Sequence, residues 1–246
     1  MRAAVGPIET TTTMKVLAVI PARGGSKGIP RKNLASFLGR PLVTWSVEHA
    51  LESETVDRTI VSTDDPEIAG VAEAAGAEVP FMRPAELAED HVLDLPVFTH
   101  ALAHLSAEGY RPDLVVHLRP TCPWRETGWI DEAVHRLADS DADALRSVST
   151  PAAHPYRVFE IDPEGHLTAF VKHIDEPYLL RRQDHPPVYH YNCVLDVTRP
   201  RTIEGGSMTG DHMLPYVIPA ARVVDIDSAY DLWAANRLFA HADEMP

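Results

Sequence analysis

The chain has 246 residues, 45% hydrophobic and 24% charged, enough for one large α/β domain or a domain with a small appendage. Its formal net charge of −14 argues against duplex DNA and anionic membranes as partners, and no apolar run is long enough to span a bilayer. With only two cysteines, Cys122 and Cys193, no disulfide framework is implied and a reducing cytoplasm fits.

The first thirteen residues, MRAAVGPIETTTT, lack an apolar targeting core and read as a disordered leader, with Met14 as a second candidate start. The run from Val16 to Ile20 reads as a buried parallel-type strand that stops at Pro21. The loop after it carries Gly24, Gly25 and Gly28 with the cations Arg23, Lys27, Arg31 and Lys32. Glycines let backbone N–H groups approach a ligand, and cations beyond a strand's carboxyl end suit a polyphosphate. The spacing matches neither G-x-x-x-x-G-K-[ST] nor G-x-G-x-x-G, so the ATPase and dinucleotide readings fail. A solvated basic loop is the plain alternative.

A helix over 41–53 follows, with Pro41 in its first turn, then a strand over 58–62 that ends at Ser62-Thr63-Asp64-Asp65. Asp65 before Pro66 reads as the N-cap of a helix running to Ala75. Strands at 78–81, 114–118 and 143–149 alternate with helices near 94–108 and 126–139. This alternation predicts a Rossmann-like, doubly wound, mostly parallel sheet covered on both faces. After Pro151 the prolines and the turn Asp162-Pro163-Glu164-Gly165 predict a β-rich, hairpin-bearing insertion over about 151–215. The chain returns with a strand at 223–227 and a last helix at about 228–241, so one domain is expected over 14–246.

In Val223-Val224-Asp225-Ile226-Asp227, a period of two puts both carboxylates on one face and the apolar partners in the core. Two such carboxylates can hold Mg²⁺ while phosphates and water fill its other positions. The alternative is a strand edge with Asp227 capping the helix that begins at Ser228. Asp231, one turn in, reads as a partner for the helix dipole. The remaining histidines show no zinc-ligand spacing.

These stretches carry a resemblance. ARGGSKGIPRKN (22–33), VSTDDPEIA (61–69), FMRPAELAED (81–90), HLRPTCPWR (117–125), RRQDHPPVYHYN (181–192) and VVDIDSAYD (223–231) resemble, in order, the motifs of the acylneuraminate cytidylyltransferase family. The resemblance implies a CTP-using, Mg²⁺-dependent enzyme that makes CMP-activated sugar acids, usually as a homodimer, for which 151–200 is the candidate interface. It implies that Ala22, Arg23, Gly24, Ser26, Lys27, Lys32, Asn33, Ser62 and Arg83 hold CTP, with Arg83 against cytosine or, more plainly, in a salt bridge to Glu86. It makes Asp225 and Asp227 the metal pair, and Arg23, Lys27 and Asp227 the catalytic set. On the acceptor side it implies Arg119, Thr121, Arg157, Arg182, Gln183 and Asn192, where Arg182 and Gln183 match a family Arg-Gln pair but other positions depart from the sialic-acid pattern. Arg119 replaces a glutamine, Arg157 a lysine, and Asp196 a tyrosine. Cations here suit a sugar-acid carboxylate. A nonulosonate is therefore the expected acceptor; a 3-deoxy-octulosonate-like acid, or a silent nucleotide-binding regulator, is the alternative.

Overall fold

Strand β1 (Val16–Pro21) sets the architecture, because it is apolar on both faces. Val16, Ala18 and Ile20 enter one core cluster, while Leu17 and Val19 enter another. A strand buried on both sides needs helices on both sides. The computed structural model describes residues 14–240; the expected leader over 1–13 lies outside them. After β1 come a short hairpin, β2 (Ser36–Phe37) and β3 (Arg40–Pro41), then α1 (Leu42–Glu52), β4 (Arg58–Ser62), α2 (Pro66–Ala74) and α3 (Asp94–Ala107). The chain continues through β5 (Leu114–His117), α4 (Trp129–Ala138), β6 (Ala144–Ser149) and the hairpin β7 (Phe159–Ile161) and β8 (Leu167–Ala169). It ends with β9 (His190–Thr198), α5 (Pro200–Glu204), β10 (Met213–Val217) and α6 (Ala229–Phe239).

Among the described residues the main sheet has six strands in the order β10-β6-β9-β5-β1-β4. Strand β9 runs antiparallel to β5 and β6, and the remaining pairs are parallel, as the alternating pattern predicts. Helices α1, α2 and α4 cover one face and α3 the other. Asp65 caps α2 as expected, its carboxylate accepting from the N–H groups of Glu67 and Ile68. Strands β1, β4 and β5 end on one edge, so the loops that follow them gather there, where open α/β sheets bind ligands.

Four expectations differ. The strand at 78–81 reduces to isolated bridges at Glu78 and Met82, because Pro80 between them has no N–H to give a ladder. Helix α4 starts at Trp129 rather than 126, after Gly128 in the left-handed region (φ 91°). The β-rich stretch over 151–215 divides: β9 and β10 are strands of the main sheet, and β7–β8 pair only with each other. The stretch 223–227 is extended but joins no sheet. Its alternation survives because Val224 and Ile226 are buried in a third cluster with Ile29, Phe37 and Phe239, while Ile226 N–H donates to the Thr121 carbonyl at 2.8 Å.

Candidate active site

A cleft of about 530 Å³ opens at this sheet edge. The glycine loop forms one wall, with Arg23, Ser26, Lys27, Lys32 and Asn33 on it. Its path is held from beneath. Gly24 N–H donates to Asp64 Oδ1 at 2.9 Å, and the buried Asn33 amide donates to the Arg23 carbonyl at 2.8 Å. A Cβ at Gly28 would overlap the backbone carbonyl oxygen of Asp227, so only glycine lets this loop reach the Asp227 segment. Ala22 is fully buried, and its N–H donates to the Ser62 carbonyl at 3.0 Å, tying the loops after β1 and β4 together.

The cations of this loop are paired with carboxylates. Arg23 and Lys27 share Asp90, at 2.8 and 2.6 Å, and Lys32 Nζ lies 2.9 Å from Asp227 Oδ1. Arg83 also lines the cleft. It is buried, its Nε donates to Ser62 Oγ at 3.0 Å, and a terminal nitrogen donates to the Ser62 carbonyl. Burial pushes its guanidinium down to about 10, with Asp64 acting in the opposite direction. Among the described residues it makes no ion pair with Glu86. Ser62 is fully buried beneath it and acts on the cleft through Arg83.

Against this loop, Asp227 keeps 76% of its side chain exposed. The capping alternative for this residue falls away, because Ser228 is the N-cap of α6 in a capping box with Asp231. Asp231 accepts from the Ser228 hydroxyl and from the Ser228 N–H, both at 2.7 Å, and that hydrogen bonding holds its carboxyl below the usual range. Asp225 stands two residues back; Cys122 Sγ donates to its Oδ1 at 3.6 Å. Desolvation, then the charge of Asp227, raises the Asp225 carboxyl. Two hard oxygen donors, one of them open to the cleft, fit Mg²⁺, which takes one or two carboxylates and completes its shell with water and phosphate. No group of three or more metal-type ligands occurs among the described residues.

The acceptor-side residues scatter. Arg119 and Thr121 line the cleft. Arg119, however, already holds two carboxylates, Asp94 Oδ2 at 2.8 Å and Asp196 Oδ2 at 3.0 Å. Asn192, on β9, is buried, its carbonyl oxygen accepting from Ser147 Oγ and its amide donating to Ser149 Oγ of β6 at 2.9 Å. Its amide is thereby committed to the sheet interior. Arg157, Arg182 and Gln183 sit exposed on 3₁₀ turns of the 151–189 segment, and none lines the cleft.

Sequence reasoning passed over Asp90, Asp94, His117, Arg146 and Tyr191, and treated Asp196 only as a departure from a pattern. The available signal was a polar residue interrupting an apolar strand, as His117 does in Leu114–Leu118 and Asp196 in Val194–Val197. Such a residue needs a partner when buried. Arg125 was likewise missed. It is buried and donates to the carbonyls of Val194 and Arg119 at 2.8 and 3.1 Å, which fixes the turn carrying Arg119.

Comparison with known proteins gives the family. The family profile described as "Cytidylyltransferase" matches residues 17–193. The chain is 33% identical over 227 residues to a pseudaminic acid cytidylyltransferase of Campylobacter jejuni, covering 92% of this chain and 97% of that protein. It is 31% identical over 229 residues to a CMP-N,N'-diacetyllegionaminic acid synthase of Legionella pneumophila, covering 90% and 94%. Among solved structures, a CMP:2-keto-3-deoxy-manno-octonic acid synthetase complexed with CTP superposes with a TM-score of 0.70 at 17% identity, over 93% of this chain and 99% of that one. At that identity the superposition establishes the fold alone.

Proposed function

The chain belongs to the cytidylyltransferase family, and we propose that it transfers CMP from CTP to the anomeric hydroxyl of a nonulosonate sugar acid, releasing pyrophosphate. The observation that carries this reading is the convergence of Arg23, Lys27, Lys32 and Arg83 with Asp227 in one cleft at the sheet edge. Near-full-length similarity to enzymes named for pseudaminic and diacetyllegionaminic acids supports the nonulosonate class. An eight-carbon keto acid is the second candidate acceptor.

In this reading the anomeric hydroxyl attacks the α-phosphorus in line as pyrophosphate departs. Positioning and charge neutralisation then do most of the catalysis. Arg23 and Lys27, released from Asp90, hold the triphosphate and the leaving pyrophosphate together with Ser26 and the N–H groups of the Gly24 turn. Arg83, fixed by Ser62, faces the cytosine, and Lys32 and Asn33 close the nucleotide side. Asp225 and Asp227 would hold Mg²⁺, which supplies Lewis-acid neutralisation of phosphate charge when bound.

The exposed apolar side chains Val158, Phe159, Ile161, Leu167 and Phe170 around the β7–β8 hairpin support a homodimer through this segment. Any acceptor role for Arg157, Arg182 and Gln183 then depends on that assembly. The free thiols of Cys122 and Cys193 suit a cytoplasmic enzyme.

The test is pyrophosphate release from CTP with a panel of nonulosonates and eight-carbon keto acids, with Mg²⁺ varied. Wild type turns over at least one nonulosonate, and Asp227→Asn loses most turnover while keeping its Tm. Near-normal turnover by Asp227→Asn at saturating Mg²⁺ would remove the metal assignment.

A further inference from the structure

Asp196 stands where three strands meet. On β9 it is the direct cross-strand neighbour of His117 on β5 and of Arg146 on β6. Its Oδ2 accepts from Arg119 at 3.0 Å and from the Tyr191 hydroxyl, and Arg146 Nε lies 3.8 Å from its Oδ1. The Arg146 guanidinium lies over the Tyr191 ring, 4.4 Å from its centroid. Arg119 turns a second nitrogen to Asp94 Oδ2 at 2.8 Å. His117 Nδ1 lies 3.9 Å from both carboxylates without a hydrogen bond, and burial keeps its ring neutral.

Two carboxylates and two guanidiniums therefore cancel, around a neutral imidazole. The deep members are closed to solvent, with 2% of the Asp196 side chain and 2% of the His117 side chain exposed. Both His117 nitrogens, Asp196 Oδ1 and Arg146 Nε are buried without a hydrogen-bond partner among the described residues. Only the top of the cluster opens to the cleft. Asp94 keeps 41% of its side chain exposed and lines the cleft beside Arg119. Its Oδ2 takes the Arg119 contact, while its Oδ1 has no hydrogen-bond partner among the described residues.

This arrangement changes what the subsite can bind. A free guanidinium would grip the sugar-acid carboxylate, but here that charge is already matched twice. A third carboxylate would have to displace Asp94 and leave it uncompensated at a half-buried site. What the cleft is offered instead is an ionised oxygen that only accepts hydrogen bonds, on a side chain held in place by its pair.

We propose that Asp94 is an acceptor-side specificity residue: it accepts a hydrogen bond from a neutral donor substituent of the sugar acid, an acylamino N–H or a hydroxyl. Arg119 positions Asp94, and Asp196 with Tyr191 positions Arg119 from below. The proposal rests on the cytidylyltransferase reading above. It corrects the expectation that Arg119 holds the acceptor carboxylate.

The test is kcat/KM for pyrophosphate release at saturating CTP, for the best acceptor and for analogues in which one acylamino or hydroxyl group at a time is replaced by hydrogen. Wild type, Asp94→Ala and Asp94→Asn are compared, with Tm measured for each. The expected result is that Asp94→Ala loses about a hundredfold on the parent acceptor, and that one analogue is as poor for wild type as the parent is for Asp94→Ala. For that analogue the alanine substitution costs nothing further, which is the signature of a direct contact. Asp94→Asn, whose amide oxygen still accepts, recovers much of the loss, and the CTP KM stays within about twofold in both variants. An equal loss on the parent and on every analogue overturns the proposal, since Asp94 would then act only by holding Arg119. Absence of pyrophosphate release by wild type with every sugar acid would instead overturn the cytidylyltransferase reading, and the proposal with it.

Discussion

Ile226 is the anchor between the two candidate metal ligands, and Ile226→Ala tests whether that anchor sets their position. The side chain is fully buried against Ile29, Phe37 and Val224, and its N–H donates to the Thr121 carbonyl at 2.8 Å. The substitution removes three carbons. At about 0.8 kcal/mol each, the transfer term is about 2.4 kcal/mol, and the cavity left behind brings the total to about 3–4 kcal/mol. For a chain of this size that corresponds to a fall in Tm of roughly 10 °C. Ile226→Val, which leaves most of the packing in place, should cost about 1 kcal/mol. Stability is read by urea unfolding, and function by the Mg²⁺ concentration for half-maximal pyrophosphate release well below the variant's Tm. We expect the alanine variant to need several-fold more Mg²⁺ and the valine variant to resemble wild type. A stability loss under about 1 kcal/mol would show that the pocket collapses around the smaller side chain. The full loss with unchanged Mg²⁺ dependence would show that Ile226 does not place the carboxylates.

Gly28→Ala forces a Cβ into the Asp227 carbonyl. It should lower kcat by about a hundredfold with a Tm change of only a few degrees, and an active variant would remove the close-approach argument. Asp90→Asn removes the carboxylate shared by Arg23 and Lys27, and should tighten CTP binding about two- to fivefold at low salt, less at 0.3 M. Calorimetry showing weaker binding would mean that Asp90 orients these cations instead of competing for them. Asp65→Ala should cost about 1 kcal/mol through loss of the α2 cap. Burial raises the Asp65 carboxyl, but its backbone hydrogen bonds and Arg31 outweigh this and hold it below the usual range. The cap's contribution is therefore complete above the ordinary carboxylate pKa and is lost as pH falls through the folded value, so wild type and variant converge in acid. A gap in Tm that persists unchanged there would reject the ionic part of the cap.

Local chemistry explains which parts were legible in the chain. The run at 16–20 is apolar at every position and the run at 114–118 at every position but His117, and only a strand covered on both faces has a use for that pattern. Asp65 before Pro66 announces a helix start because cap and first-turn geometry depend on adjacent residues alone. The glycine-and-cation loop and the Asp225/Asp227 alternation were visible for the same reason, since each is written within a few consecutive residues. Strand β9 was not visible as a core strand, because its membership of the sheet is decided by β5 and β6 on either side of it.

The acceptor side shows the boundary most clearly. Arg119 reads from the sequence as a free cation awaiting a carboxylate. Tertiary structure supplies Asp94 from the start of α3 and Asp196 from β9, residues 25 and 77 positions away. Short-range sequence thus determined strands β1 and β5, the glycine-and-cation loop and the Asp225/Asp227 alternation, which follow from backbone period and steric freedom. Charge state and available hydrogen-bonding capacity at Arg119 were decided only by folding, because Coulomb and hydrogen-bond partners are chosen by distance in space and not along the chain.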